Sequence, residues 1–139
     1  MSRPYIIAIN SVSGGGKTAL AKVLQKALPA CVLFCFDDFD ETNVHSEDIY
    51  RWWKRGADLR EFDCPEMGKA VDDEIQRGAS EFIVLDYPFG RDHPRFRRLI
   101  DLSLFVDTPL DVAMARRIIQ SDGAESEVLE RIRADRNIL

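Results

Sequence analysis

Residues 11–18 read Ser-Val-Ser-Gly-Gly-Gly-Lys-Thr, a stretch that combines the parts needed to hold a chain of phosphates. Gly14, Gly15 and Gly16 carry no Cβ and tolerate positive φ, so their backbone amides can close around an anion. Lys17 adds a cation on a long stem, and Thr18 adds a hydroxyl of the kind that ligates Mg²⁺ beside bound phosphates. The stretch ends as the phosphate-loop pattern G-x-x-x-x-G-K-[ST] ends, with Ser11 standing where that pattern has its first glycine. Ser13, Gly14, Gly15, Gly16, Lys17 and Thr18 are therefore the expected contacts of a nucleoside triphosphate, here ATP, with Mg²⁺ at Thr18.

A competing reading exists. Gly14-Gly15-Gly16-Lys17-Thr18-Ala19 also fits the dinucleotide fingerprint G-x-G-x-x-A, and Asp37 follows at about the distance of a ribose-binding acid. In that fingerprint the first glycine directly follows the strand, whereas Gly14 comes well after the apolar run that ends at Asn10. Nor does that fold require Lys-Thr at the helix start. The phosphate loop is the favoured reading.

Asp37-Asp38 closes the second apolar run, which places two carboxylates at the C-terminal edge of a sheet, where open α/β folds bind ligands. One carboxylate would take the proton of an acceptor hydroxyl or orient it in line, and the other would reach Mg²⁺ through water. No Asn-Lys-x-Asp guanine-reading segment is present, and 139 residues are few for a remodelling ATPase. Transfer of a phosphoryl group to a small molecule fits best.

These residues need a scaffold to position them. Residues 5–10, 31–36, 82–86 and 102–107 read as short apolar strands of the kind buried on both faces of a parallel sheet. Helical spacing covers 18–28, 49–54 and 66–77, the last closed by Gly78. Thr108-Pro109-Leu110-Asp111 looks like a helix start with Thr108 as cap, leading to a helix that ends near Ile119, and a last helix is expected over 125–138. Strands alternating with helices predict an α/β, three-layer P-loop fold: one domain, with a parallel sheet of four strands flanked by helices.

With these residues in place, residues 7–39 resemble the uridine kinase and nicotinamide riboside kinase group of P-loop kinases, through the glycine loop and Phe36-Asp37-Asp38-Phe39. The resemblance implies that Asp37 is the catalytic base, acting with Lys17. Glu61-Phe62-Asp63-Cys64-Pro65-Glu66 is similar to a stretch whose acid binds ribose hydroxyls, which implies Asp63 as a substrate residue beside Asp38. Ile83-Val84-Leu85-Asp86 resembles the group's Val-Glu-Gly strand and implies Asp86 near Mg²⁺. Residues 105–113 resemble the group's fourth strand and the helix into its lid, which implies that Arg116 and Arg117 clamp the transferring phosphoryl. The expected acceptor is a nucleoside or similar riboside. The group carries a fifth strand beyond this point and the sequence ends at Leu139, so either the sheet has four strands or a tail is missing.

The rest of the sequence bounds the function. A net charge of −5 makes a broad nucleic-acid surface unfavourable. No apolar run approaches the roughly 20 residues that span a bilayer, and Met1-Ser2-Arg3-Pro4 leads straight into a strand, so a cytoplasmic protein without a membrane partner is expected. Oligomeric state is not readable. Cys31, Cys35 and Cys64 lack metal or disulfide spacing, and Cys31 and Cys35, four apart in a predicted strand, read as small core hydrophobes. Trp52 and Trp53 either stack on a ring of the acceptor or close the core beneath a loop. Arg91, Arg95, Arg97 and Arg98 around His93 read as a solvated helix face, the alternative being a clamp for an anionic acceptor. His93 is not expected to be catalytic.

Overall fold

The computed structural model describes residues 2–120. Four strands, β1 (Tyr5–Ser11), β2 (Cys31–Cys35), β3 (Phe82–Asp86) and β4 (Leu102–Val106), form one sheet. Its order is β2-β3-β1-β4 and every neighbouring pair is parallel. Helices α1 (Lys17–Ala27), α2 (Ile49–Lys54), α3 (Pro65–Arg77) and α4 (Leu110–Gln120) come between or after the strands. The expected α/β architecture is the one observed. The helix expected at 125–138 lies outside the described residues.

Parallel strands covered on both faces are apolar along their length, and β1 obeys this from Tyr5 to Ile9 and β3 from Phe82 to Leu85. Ile6, Ala8, Ile83 and Leu85 face one way, into a core completed by Met67 and Val71 of α3 and by Tyr87, Phe96 and Ile100. Ile7, Ile9 and Val84 face the other way and pack with Ala21, Leu20 and Leu24 of α1. β2 lies at a sheet edge, which leaves Cys31 and Cys35 half-buried where full core positions were expected; Cys64 alone of the three is buried.

Two local expectations change. Residues 91–98 form turns instead of a helix face. Arg91 donates to the carbonyls of Ile100 and Asp101, and Arg97 donates to those of Arg91 and Asp92, so these arginines satisfy turn carbonyls that a helix would have satisfied itself. At the head of α4, the first turn closes through Ala113 N–H to Pro109 O at 3.0 Å, while the Thr108 hydroxyl donates to the carbonyl of Gly15. Among the described residues no helix is long and apolar enough to cross a membrane.

Leu85 is fully buried in the central strand β3. Leu85→Ala is expected to lower the unfolding free energy by about 3 kcal/mol, as truncation of a packed core leucine does. Val23, 61% exposed on α1, is the contrast: its alanine variant should shift stability by less than about 0.5 kcal/mol. Urea unfolding with an unchanged m-value checks both.

Candidate phosphate-binding site

The strand order decides what meets the loop. β1 runs into residues 12–16 and lies beside β3, so the last residue of β3, Asp86, is in register with Ile9 and, on its other side, with Cys35. Asp86 is 3% exposed. Its Oδ1 lies 2.5 Å from Lys17 Nζ, and its Oδ2 accepts a hydrogen bond from Thr18 Oγ1 at 2.6 Å. A buried carboxylate is costly unless paired, and here one acid is satisfied by the two side chains that open α1.

The loop backbone follows from its glycines. Gly14 has φ +78° and Gly16 φ +93°, a region that side-chain-bearing residues rarely adopt. Gly14 also abuts α4, where an added Cβ would lie 2.3 Å from the carbonyl oxygen of Ala113. Ser11, in place of a glycine, is accommodated because Gly15 leaves room: a Cβ there would sit 2.7 Å from Ser11 Oγ. The N–H groups of Gly16, Lys17 and Thr18 find no acceptor among the described residues, leaving a donor-lined N-terminus of the type that receives anions. Arg116 Nη1 lies 3.6 Å from the Cβ position of Gly16, and the backbone N of Arg117 lies 3.4 Å from that of Gly14, so both arginines begin beside the loop. Ser13 is exposed at the loop's outer turn.

Asp37 and Asp38 sit in a short 3₁₀ helix, Phe36–Phe39, directly after β2, and both are exposed. Burial pushes the Cys35 thiol up to about 11, with Asp86 and then Asp38 adding to the rise. Phe36 in the same turn packs edge-on against Tyr87 and Phe89 at 5.8 Å, fixing the turn to the end of β3.

Asp63 is reached differently. Its backbone bridges to Val44, and its carboxylate is forked by Arg95 through Nε and, at 2.7 Å, Nη2, while accepting the N–H of Cys64 at 2.8 Å. The Arg95 hydrogen bonds hold the Asp63 carboxyl below its usual range against the opposing effect of burial. Room for Arg95 comes from Gly68 inside α3, where a Cβ would stand 2.7 Å from Arg95 Nη1. Arg60, Phe62, Asp63, His93, Pro94 and Arg95 line a cleft of about 380 Å³. Neighbouring His93 is 3% exposed. Its Nδ1 accepts the N–H of Arg95 at 3.2 Å, so the neutral ring carries its proton on Nε2 and donates it to Phe62 O at 2.6 Å. Both ring nitrogens are thereby used.

The two tryptophans separate. Trp52 packs on Phe62 at 4.9 Å and donates Nε1–H to Asp58 O at 2.8 Å, closing its own loop, whereas Trp53 is 63% exposed. Two contacts escaped sequence reasoning: the Arg95–Asp63 fork and a hydrogen bond from Thr108 Oγ1 to Gly15 O at 2.6 Å. Gly68, unexplained in a helix interior where glycine costs about 1 kcal/mol, was the available signal for the first. Nothing local marked the second.

Two outcomes follow. Lys17→Met leaves the buried Asp86 without its cation and is expected to cost roughly 3 kcal/mol of stability, most of which Lys17→Met/Asp86→Asn recovers; urea unfolding of the three proteins measures it. Because the Asp63 carboxyl is lowered from 3.8, the fork's contribution is present above that pH and is lost as pH falls below it. The difference in melting temperature between the wild type and Arg95→Met should therefore be full at neutral pH and shrink toward pH 3.

No protein-family model matches the chain. It is 30% identical to the uridine kinase of Schizosaccharomyces pombe, over 81% of this chain and 30% of that protein. It is 24% identical to a uridine kinase of Clostridium botulinum (strain Langeland), over 86% of this chain and 70% of that protein. A stretch covering 27% of the chain is 51% identical to nicotinamide riboside kinase 1 of Rattus norvegicus, over 19% of that protein. The chain thus spans less than a third of the fungal uridine kinases, 30% of one and 28% of the other. Among solved structures, TT1252 from Thermus thermophilus superposes with a TM-score of 0.59 at 22% identity, covering 96% of this chain and 81% of that one, a likeness of fold. In sequence the chain is uridine kinase-like.

Proposed function

We propose that this uridine kinase-like chain carries the phosphoryl-transfer site of an ATP-dependent kinase whose acceptor is a hydroxyl of a nucleoside or similar riboside. The observation that carries the reading is the shared contact of Lys17 and Thr18 with the buried Asp86, beneath the amides of Gly16, Lys17 and Thr18 that find no acceptor among the described residues. On this reading the loop amides and Lys17 hold the β- and γ-phosphates, and Arg116 and Arg117 face the transferring group from α4. Thr18 and Asp86 fit a Mg²⁺ ion: both present hard oxygen ligands, and such sites draw on one or two carboxylates together with phosphate oxygens and water. Bound there, the ion would neutralise charge on the phosphates. Asp37 takes the proton of the acceptor hydroxyl and Asp38 orients the acceptor beside it. Asp63 contacts the acceptor's own hydroxyls.

One observation favours a second reading of the acceptor. Arg95 lines the cleft and engages both oxygens of Asp63, so an acceptor bearing a phosphate or carboxylate would meet an arginine there. Kinase activity is common to the two readings; they differ in the acceptor.

Acceptor-dependent ADP release, assayed over plain ribosides and over phosphorylated or carboxylated ones, decides between them. Plain ribosides are expected to turn over, and activity confined to anionic acceptors would select the second reading. ATP binding without ADP release from any acceptor would sink the kinase reading. Asp37→Asn is expected to spare ATP binding and reduce transfer by roughly 10²–10⁴, the range for loss of a general base. If Asp38→Asn is the inactive variant instead, the roles of the two acids are exchanged.

A further inference from the structure

Thr108 stands between β4 and α4, where a helix cap was expected, yet its hydroxyl donates to the carbonyl of Gly15 at 2.6 Å, across 93 positions of sequence. The peptide unit between Gly15 and Gly16 is thereby held on one side. A trans peptide is planar, so its C=O and the next N–H point in opposite directions. Tying the Gly15 carbonyl outward to Thr108 aims the Gly16 N–H away from Thr108, and that N–H is one of the loop amides without an acceptor among the described residues.

A peptide flanked by two glycines has no side chain to resist rotation about its two Cα bonds. A flip exchanges the N–H for the C=O, putting a partial negative charge where an anion would sit. The neighbouring bonds do not prevent this alone. Gly15 N–H goes to Val12 O at 2.9 Å and Gly16 O accepts from Leu20 N–H at 3.1 Å, which fixes the groups on either side of the peptide but not the peptide itself. The backbone of α4 supports the same surface, through the approach of Ala113 O to Gly14.

We infer that Thr108 is a positioning residue for the triphosphate: its hydroxyl locks the Gly15–Gly16 peptide with the Gly16 N–H directed into the cradle. The role rests on the phosphate-binding reading of the loop given above. It assigns to a residue outside the phosphate-loop motif part of that motif's affinity. It also separates the two groups of Thr108, since the hydroxyl is required and the methyl is not.

Mg-ATP and inorganic tripolyphosphate serve as probes, titrated by calorimetry into the wild type, Thr108→Ser and Thr108→Val. The serine variant is expected to bind both within about threefold of the wild type, and the valine variant to lose roughly tenfold to a hundredfold, as for a lost hydrogen bond that orients a donor toward a charged group. The amide signal of Gly16 should shift on adding Mg-ATP to the wild type and the serine variant, and respond weakly in the valine variant. Melting temperatures measured alongside report folding; should the valine variant not fold, Thr108→Ala against Thr108→Ser carries the same comparison. Equal affinity with and without the hydroxyl overturns the role of Thr108. A wild type that binds neither probe overturns the phosphate-loop reading instead.

Discussion

A buried carboxylate with two partners organises this molecule. Asp86 lies at the end of a central strand, 3% exposed, and accepts from Lys17 and Thr18. Because an unpaired charge in that position would be strongly unfavourable, the first residues of α1 are drawn to the end of β3, and the glycine loop before them has to turn within the short distance that remains. The positive φ angles of Gly14 and Gly16 are the backbone consequence of that constraint.

The loop is held from behind as well as from below. The junction of β4 and α4 meets it through Thr108, Ala113 and Arg116, so an element late in the chain sets the shape of the earliest motif. The segment 36–65 is anchored otherwise. It departs from β2 at the sheet edge and is tied down by rings, Phe36 on Tyr87 and Phe89, Phe62 on Phe89, Trp52 on Phe62, together with the Asp63–Arg95 fork.

The sequence carried its strands, its main helices and the loop plainly, because these depend on neighbours a few residues apart. Alternation of facing in β1 and β3, the spacing of Leu20 and Leu24, and Gly78 after α3 each encode local geometry. The acid at Asp86 was legible as a resemblance, and its spatial partner followed from strand order, which places β3 beside β1. Residues 91–98 misled because arginines on a turn and arginines on a helix face look alike in one dimension; what distinguishes them is which carbonyls need donors. Thr108 misled for a related reason. Thr-Pro-Leu-Asp does precede a helix, but the proton of the Thr108 hydroxyl goes to a carbonyl 93 residues away, a contact that no local spacing marks.

The placement of β2 at the rim of the sheet, against β1 and β3 at its centre, divides the molecule by tolerance to change. Residues at the ends of the two central strands are fixed by close packing on both faces, and a substitution there is felt throughout. The stretch hung from the rim meets the core only at its two ends, through Phe36 and Phe39 at one and Cys64 at the other, and the chain between them is largely exposed. For anyone redesigning this protein, the largely exposed stretch 44–60 is the part to vary, with Phe36, Phe39, Cys64 and the Asp63–Arg95 fork kept as its points of attachment.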